Sequence, residues 1–435
     1  MSTARLLLIA LFSSMPMVTS GAVQDCHVGF YRLADGSGVD IAPRESDSLR
    51  WRMTDGTTGE LHRGAGDAWT SSLGWTGRPD GKQVTFADCA VGTMTFDRHA
   101  AVRVQFLTQD ATFRSGDAEL AGRLVLPQGD GTVPIVVLVH GSENQSARDF
   151  YADQRLFPSL GVGVFVYDKR GTGDSAGVFT HDYQELAQDA VAAVAAARKL
   201  AGARAGRVGF YGTSQGGWVA PLAATQTRVD FVIVGYGLAV SPMAEDTEAV
   251  EFDMRRAGFG AAETAQALEV ARAAQQIVIE GFGDGYAALY AKRERYSAEP
   301  WFKFLRGNVT HLMLELPEEL LRSQGPVLFN GVQPFYDPLP VLRQLDTAQL
   351  WILAAQDIDA PIGETLRRLR ALQKARKPIS VVVFPDAEHG MYEFEADAQG
   401  ARASTRRPAD YLPLMVEFAR GGKIRSRYGN AAVYR

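Results

Sequence analysis

The chain has 435 residues, of which 46% are hydrophobic and 22% charged, with a formal net charge of -5. This is a globular composition, long enough for two or three packed units, and it excludes a disordered or fibrous class. The acidic balance leaves no basic patch that would point to nucleic acid or an anionic membrane surface as partner.

In chain order, Arg5 is followed by the apolar run 6–12 and then by small and polar residues around Val18, Ser20 and Ala22. That layout predicts a secretory signal peptide over 1–22, with the mature chain beginning near residues 21 to 23 and exported to the periplasm or beyond. The run is too short for a membrane span, which needs ~20 apolar residues. The only two cysteines, Cys26 and Cys89, then predict one disulfide. It closes a loop of roughly 60 residues and contributes about 4 kcal/mol in the chain-entropy account.

Residues 23–98 read as a small antiparallel β unit. β-branched and aromatic residues are broken by Asp35-Gly36, Asp55-Gly56 and Asp80-Gly81, favoured pairs for hairpin turns. Leu49, Trp51 and Met53 alternate with Arg50 and Arg52, as in a half-buried strand. The unit reads as a structural appendage, although Trp51, Trp69 and Trp75 leave a binding face open.

Residues 99–240 change character. Strand-like runs at 102–107, 120–126, 133–139 and 162–167 precede an alanine-rich helix over 182–200 and strands at 208–211 and 231–234. Strands alternating with helices predict a mostly parallel sheet covered on both faces. Over 241–340 the strand signal stops. Leu268, Ala271, Ala274 and Val278 share a helical face, and 318–322 reads as another helix, so this segment is an inserted helical cap. The alternation resumes over 341–435, with strands at 350–354 and 379–384 and helices at 362–373 and 409–420.

Chemistry concentrates in Gly212-Thr213-Ser214-Gln215-Gly216-Gly217, set between a strand and a helix. Glycines there permit a strained turn that lifts a serine hydroxyl clear of the sheet, a nucleophile elbow. Serine needs a base, and the base needs an orienting acid. In the chain order Ser, acid, His, the base is His389, in the loop after the strand at 379–384. The acid is Asp357, in the loop before Pro361, with Asp359 and Asp386 as alternatives. Two N–H donors must receive the oxyanion, and Gln215 and Ser142 are the candidates. His140 is read as a turn-packing residue. Trp301, Phe302, Phe304, Phe329, Phe335 and Tyr336 either line a pocket over Ser214 or form the cap's own core.

These pieces together resemble the α/β-hydrolase superfamily, in its esterase and serine-peptidase-like branch. The resemblance rests on Val139-His140-Gly141-Ser142, the stretch from Tyr167 to Ser175, the elbow at Ser214, Asp357 with Pro361, and Asp386-Ala387-Glu388-His389-Gly390. It implies an α/β-hydrolase fold with a helical cap and gives the stretch Asp168 to Ser175 a structural role beneath the site. It leaves the N-terminal β unit outside. The expected activity is hydrolysis of a carboxylic ester, or a short peptide or amide by the same machinery, without cofactor or metal. A binding protein that kept the fold without catalysis is the reading from another class; the filled triad positions argue against it.

Overall fold

The structure, a computed structural model, describes residues 26–44, 48–64, 68–398 and 400–435. The predicted leader over 1–22 lies outside the described residues. Eight strands come first: β1 (Gly29–Leu33), β2 (Gly38–Pro43), β3 (Leu49–Met53), β4 (Thr58–Arg63), β5 (Ala68–Leu73), β6 (Pro79–Phe86), β7 (Thr93–Phe96) and β8 (His99–Arg103). Each pairs antiparallel with the next, and β8 returns to β1 through Tyr31 and Arg103, closing a barrel. Closure removes every free sheet edge. Tyr31, Val39, Ile41, Trp51, Leu61 and Trp69 fill the interior. The Trp51 indole N–H donates to Ser71 Oγ at 2.8 Å. Cys26 and Cys89 form a disulfide that ties the entry of β1 to the β6–β7 connection.

Three local expectations change here. Asp35 and Asp55 do sit in hairpin turns, where each carboxylate accepts the backbone N–H two residues on, at 2.8 and 2.9 Å. Asp80-Gly81, however, lies inside β6, opposite a register shift in β5. Gly81, with φ +80°, accommodates an irregular strand there, because the same left-handed freedom serves a bulge as well as a turn. The run 102–107 is not one strand either: β8 ends at Arg103 and β9 starts at Leu107, so the barrel's last strand runs past residue 98. Finally, Arg50 is buried. It is covered by the barrel's own β5–β6 connection, where the Arg50 guanidinium stacks over Trp75 at 3.6 Å and donates to the Gly74 carbonyl. Trp51 and Trp69 are inside the barrel, and Trp75 packs edge-on against Tyr392.

The second layer is a sheet of β9 (Leu107–Ser115), β10 (Ala118–Leu126), β11 (Val133–Val139), β12 (Gly163–Tyr167), β13 (Ala205–Thr213), β14 (Phe231–Gly235), β15 (Gln349–Ala354), β16 (Ile379–Phe384) and β20 (Ala432–Tyr434). Its order is β20-β16-β15-β14-β13-β11-β12-β10-β9. Strands β11 to β16 run parallel, while β9, β10 and β20 are antiparallel additions. The parallel strands are buried on both faces by two apolar clusters, which is why they read as unbroken apolar runs. Helix Tyr183–Ala201 covers one face and starts at Asp182, whose carboxylate caps the Gln184 and Glu185 N–H groups. Helix Tyr411–Gly421 covers the other. A small sheet of β17 (Ala387–Glu388), β18 (Tyr392–Ala396) and β19 (Arg402–Arg406), which nothing in the sequence announced, follows β16.

Between β14 and β15 the chain builds the helical cap, with helices Pro242–Arg256, Ala261–Ile279, Tyr286–Tyr296, Val309–Glu315 and Glu318–Leu328 around an apolar cluster of its own. Trp301, Phe302 and Phe329 belong to that cluster, Tyr336 packs on Tyr183 of the main core, and Phe304 and Phe335 are exposed. Buried Asp246 accepts from the Asn308 and Thr310 N–H groups, the Thr310 hydroxyl and the Gln275 amide. This fastens the loop before Val309 to the first cap helix.

The barrel docks on the hydrolase-like core through Asp40 on β2, which is fully buried and receives Nε and Nη2 of Arg155 at 2.5 and 3.1 Å. Removing the cation strands a buried carboxylate, a change that costs about 3–5 kcal/mol. Arg155→Leu is therefore expected to lower the unfolding midpoint in denaturant by a corresponding margin. An unchanged midpoint would show that the pair adds nothing to docking.

Candidate active site

The loops that carry the candidate residues leave the same edge of the sheet. Parallel β11 and β13 are neighbours, as are β15 and β16. Their carboxyl ends therefore open on one side, where ligands gather in open α/β sheets.

Ser214 follows β13 and precedes helix Gly216–Gln226. Its φ is +50°, a left-handed conformation that costs a non-glycine residue energy and is kept where the surroundings impose it. Two residues on, packing is close: a Cβ on Gly216 would lie 2.2 Å from the Val139 carbonyl oxygen. The turn is held by Ser214 N–H to the Gly235 carbonyl at 3.1 Å and Gly217 N–H to the Ser214 carbonyl at 2.8 Å.

His389 lies in a tight turn closed by the Met391 N–H on the Glu388 carbonyl at 3.0 Å. Its Nε2 is 3.2 Å from Ser214 Oγ and its Nδ1 is 2.9 Å from Asp357 Oδ2. Asp357 is buried, and its other oxygen accepts the N–H groups of Asp359 and Ala360 at 3.0 and 2.7 Å. With one oxygen bound to its own loop and the other to His389, Asp357 is fixed in direction. The structure thus brings Ser214, His389 and Asp357 together. Asp359 borders the pair through its backbone N–H and through a carboxylate within 4.8 Å of the Asp357 and His389 donor atoms, whereas Asp386 is exposed and bonded to Asn430 at 2.7 Å.

Burial opposes the His389 cation. The charge and hydrogen bond of Asp357, with Asp359 and Glu245 behind them, outweigh it and hold the imidazole up at about 9. Glu245, on the first turn of the first cap helix, is itself pushed up to about 8 by burial among these groups. Asn308 links it to the acid loop, donating to Glu245 Oε1 at 3.1 Å and to the Asp359 carbonyl at 2.6 Å. The edge of the Tyr236 ring meets His389 at 5.0 Å between centroids.

The turn after β11 borders the same hydroxyl: a Cβ on Gly141 would lie 3.4 Å from Ser214 Cβ. Among the described residues neither the Ser142 nor the Gln215 backbone N–H donates to a protein acceptor. His140, behind them, is buried between Tyr151 and Tyr167, with Nδ1 3.6 Å from Glu143. Burial pushes its pKa down.

Supporting residues escaped the sequence reading. Arg402 on β19 donates to the Gln356 carbonyl at 2.6 Å and meets Glu388 at 3.4 Å, so it braces the acid loop and the histidine turn together. His181 is pulled down to about 4, chiefly by burial. As a neutral ring it donates Nε2–H to the Leu328 carbonyl at 3.1 Å and accepts the Gln215 side-chain amide on Nδ1 at 2.7 Å. Lys169 Nζ donates to the Gly141 carbonyl at 2.6 Å. Only Lys169 had a local signal, its place in the stretch from Asp168 to Ser175.

Donor atoms of Asp357, Asp359 and His389 lie within 4.8 Å of one another, near enough to chelate a metal, but doing so would break the His389–Asp357 hydrogen bond. Cys26, His27 and Cys89 also cluster, with both sulfurs committed to the disulfide. No helix among the described residues is long and apolar enough to cross a membrane.

Comparison with solved structures finds the acylaminoacyl peptidase of Pyrococcus horikoshii at 15% identity and TM-score 0.45, aligned over 87% of this chain and 55% of that one. The chain therefore spans little more than half the length of that peptidase. The Pyrococcus furiosus esterase Pf2001 aligns at 17% identity and TM-score 0.42, over 65% of this chain and 84% of its own. The hydrolase GrgF of a Penicillium species aligns at 19% and 0.42, over 65% and 91%. No curated protein matches. Residues 136–403, more than half of the chain, match the Alpha/beta hydrolase family, and the chain belongs to that family.

Proposed function

We propose that this hydrolase cleaves carboxylic esters through Ser214, His389 and Asp357. One observation carries the reading: a single imidazole lies within hydrogen-bond reach of a strained serine hydroxyl on one side and a buried carboxylate on the other, at 3.2 and 2.9 Å. His389 Nε2 takes the Ser214 proton as Oγ attacks the ester carbonyl. The carbonyl oxygen becomes an oxyanion and accepts the Ser142 and Gln215 N–H groups. Its collapse expels the alcohol, which receives the proton back from His389, and leaves an acyl-enzyme. Water, deprotonated by the same imidazole, then releases the acid. Asp357 holds the ring with Nδ1 protonated and stabilises the imidazolium.

Ester cleavage is the least that this arrangement can do. An amide or short peptide uses the same steps with a poorer leaving group, so the leaving group is a matter for assay. The reading needs no cofactor or metal. Export through the segment 1–22 is part of the proposal, and the Cys26–Cys89 disulfide supports it, since such bonds persist in oxidising compartments.

Fluorophosphonate is expected to label the wild type and not Ser214→Ala, and the substitution should lower kcat on p-nitrophenyl esters by roughly 10⁶-fold. Labelling that survives the change would remove Ser214 from the mechanism. On the same preparation, anilides cleaved faster than matched esters would make the protein an amidase.

Asp357→Asn should lower turnover by about 10⁴-fold through the wrong imidazole tautomer, while Asp359→Asn leaves most activity in place. The reverse ranking would move the acid to Asp359.

Because Asp357 favours the imidazolium and catalysis needs the neutral ring, kcat/KM is expected to rise with pH. The midpoint should lie above the ordinary histidine value of 6.5, towards about 9. In the residual activity of Asp357→Asn it should fall back towards 6.5, and a midpoint that stays put would dissociate Asp357 from the titrating group.

A further inference from the structure

We propose that Lys169 is a positioning residue for this reaction, holding and polarising the one peptide unit whose opposite end is the Ser142 N–H that receives the oxyanion. The inference rests on the reading of Ser142 as an oxyanion donor. The Gly141 carbonyl and the Ser142 N–H belong to the same peptide, which is trans, as no peptide bond among the described residues is cis, so they point in opposite directions. Lys169 Nζ sits on the carbonyl end at 2.6 Å. The Gly141 Cα that opens this peptide borders Ser214, since a Cβ added there would lie 3.4 Å from Ser214 Cβ.

Lys169 is 2% exposed. Burying an ammonium is costly unless it is compensated, and a methionine would fill similar space without that cost. The cation instead donates to a neutral backbone carbonyl and lies over the Phe179 ring at 4.9 Å. Burial pulls it down to about 8, with the Glu143 carboxylate opposing that fall. The neighbouring titratable groups His140 and His181 are both pulled towards the neutral form. Glu143 also accepts the Tyr151 hydroxyl.

The backbone on either side of Lys169 is pinned. Asp168 accepts from the Ser146 hydroxyl and the Arg148 and Asp174 N–H groups. Arg170 makes a bidentate pair with Asp189 at 2.8 and 2.7 Å. The ammonium is therefore delivered from a rigid base.

Two consequences follow for the peptide. A charge-assisted hydrogen bond is roughly twice as strong as a neutral one, and polarising the carbonyl makes the N–H at the far end a better donor, since linked hydrogen bonds strengthen one another. The bond also fixes orientation. Beside a glycine the peptide could rotate and turn its carbonyl towards Ser214, and Lys169 holds that carbonyl away.

The test compares Lys169→Met and Lys169→Gln with the wild type and Ser214→Ala, using the full chain, a p-nitrophenyl ester, and phenylboronic acid as the probe that forms an anionic tetrahedral adduct. Removing an oxyanion donor outright costs about 10²–10³ in kcat, so a donor left in place but unanchored should lose about 10- to 100-fold. In Lys169→Met that loss is expected with KM nearly unchanged and boronate affinity weakened in proportion. Lys169→Gln, which restores a neutral donor, should recover part of the loss. If Lys169→Met does not fold, the same KM-against-kcat split and boronate shift are read from Lys169→Gln.

Wild-type kcat and boronate affinity in the folded lysine variants would overturn the proposal, as would a loss confined to KM. If Ser214→Ala is inactive while the lysine variants behave as wild type, the role of Lys169 alone fails. If Ser214→Ala stays active, the catalytic reading fails and takes this inference with it.

Discussion

Everything at this site depends on the close approach of two neighbouring parallel strands. β11 and β13 lie side by side, and where they end the Val139 carbonyl presses against Gly216 so tightly that no side chain fits between them. The turn beside that contact holds Ser214 in its left-handed conformation. It also sets the 140–142 turn beside the hydroxyl. The proposed nucleophile and oxyanion peptide thus sit at the ends of one neighbouring pair of parallel strands, and the loops of Asp357 and His389 follow another such pair, β15 and β16.

Two further units brace this edge. The barrel packs on β18 and β19, where the Trp75 N–H bonds to the Ser404 carbonyl at 2.7 Å and the Arg407 N–H to the Gly56 carbonyl at 2.9 Å. The first strand of the same small sheet ends at Glu388, next to His389, and the sheet carries Arg402, which spans to the Asp357 loop. The barrel is therefore hydrogen-bonded to the segment that follows His389, although Ser214, His389 and Asp357 all lie outside it. The cap reaches the site through Asn308, which joins Glu245 to the Asp359 carbonyl, and through the Leu328 carbonyl on His181. Since His181 also holds the Gln215 side chain, the cap's last long helix is mechanically joined to the residue after the nucleophile.

What was legible in the sequence was what local pattern encodes. The parallel strands read as unbroken apolar runs because both their faces are covered, and the elbow read clearly because its glycines mark a close approach within a few residues. Chain order was enough to nominate Asp357 and His389, which the fold brings together across 32 residues. The closed barrel was not legible, since its decisive pairing joins Tyr31 to Arg103, distant positions with no shared local signal. Asp80-Gly81 misled because the backbone freedom of a hairpin turn is the same freedom that a bulge uses. Arg50 misled because alternation distinguishes two faces of a strand but not what covers the outer one. Arg402, His181 and the cation–carbonyl contact of Lys169 are long-range polar partners, and nothing near them in the chain announces the residues they meet.

The electrostatic layout gives these scattered partners one logic. In the proposed mechanism attack moves charge through the site: a proton goes from Ser214 onto His389, and negative charge appears on the carbonyl oxygen at the 140–142 turn. A buried carboxylate stands behind the imidazole that becomes positive, and a buried ammonium stands behind the peptide that meets the negative oxygen. Each fixed charge is opposite in sign to the charge that develops in front of it. Because both are held by short hydrogen bonds in a water-poor interior, neither has to reorganise as the reaction proceeds, and that preorganisation is where catalysis of this kind draws most of its strength. On that mechanism the two costly buried ions near this edge act as a pair: with either one removed, the remaining charge would favour one side of the proton transfer without support on the other.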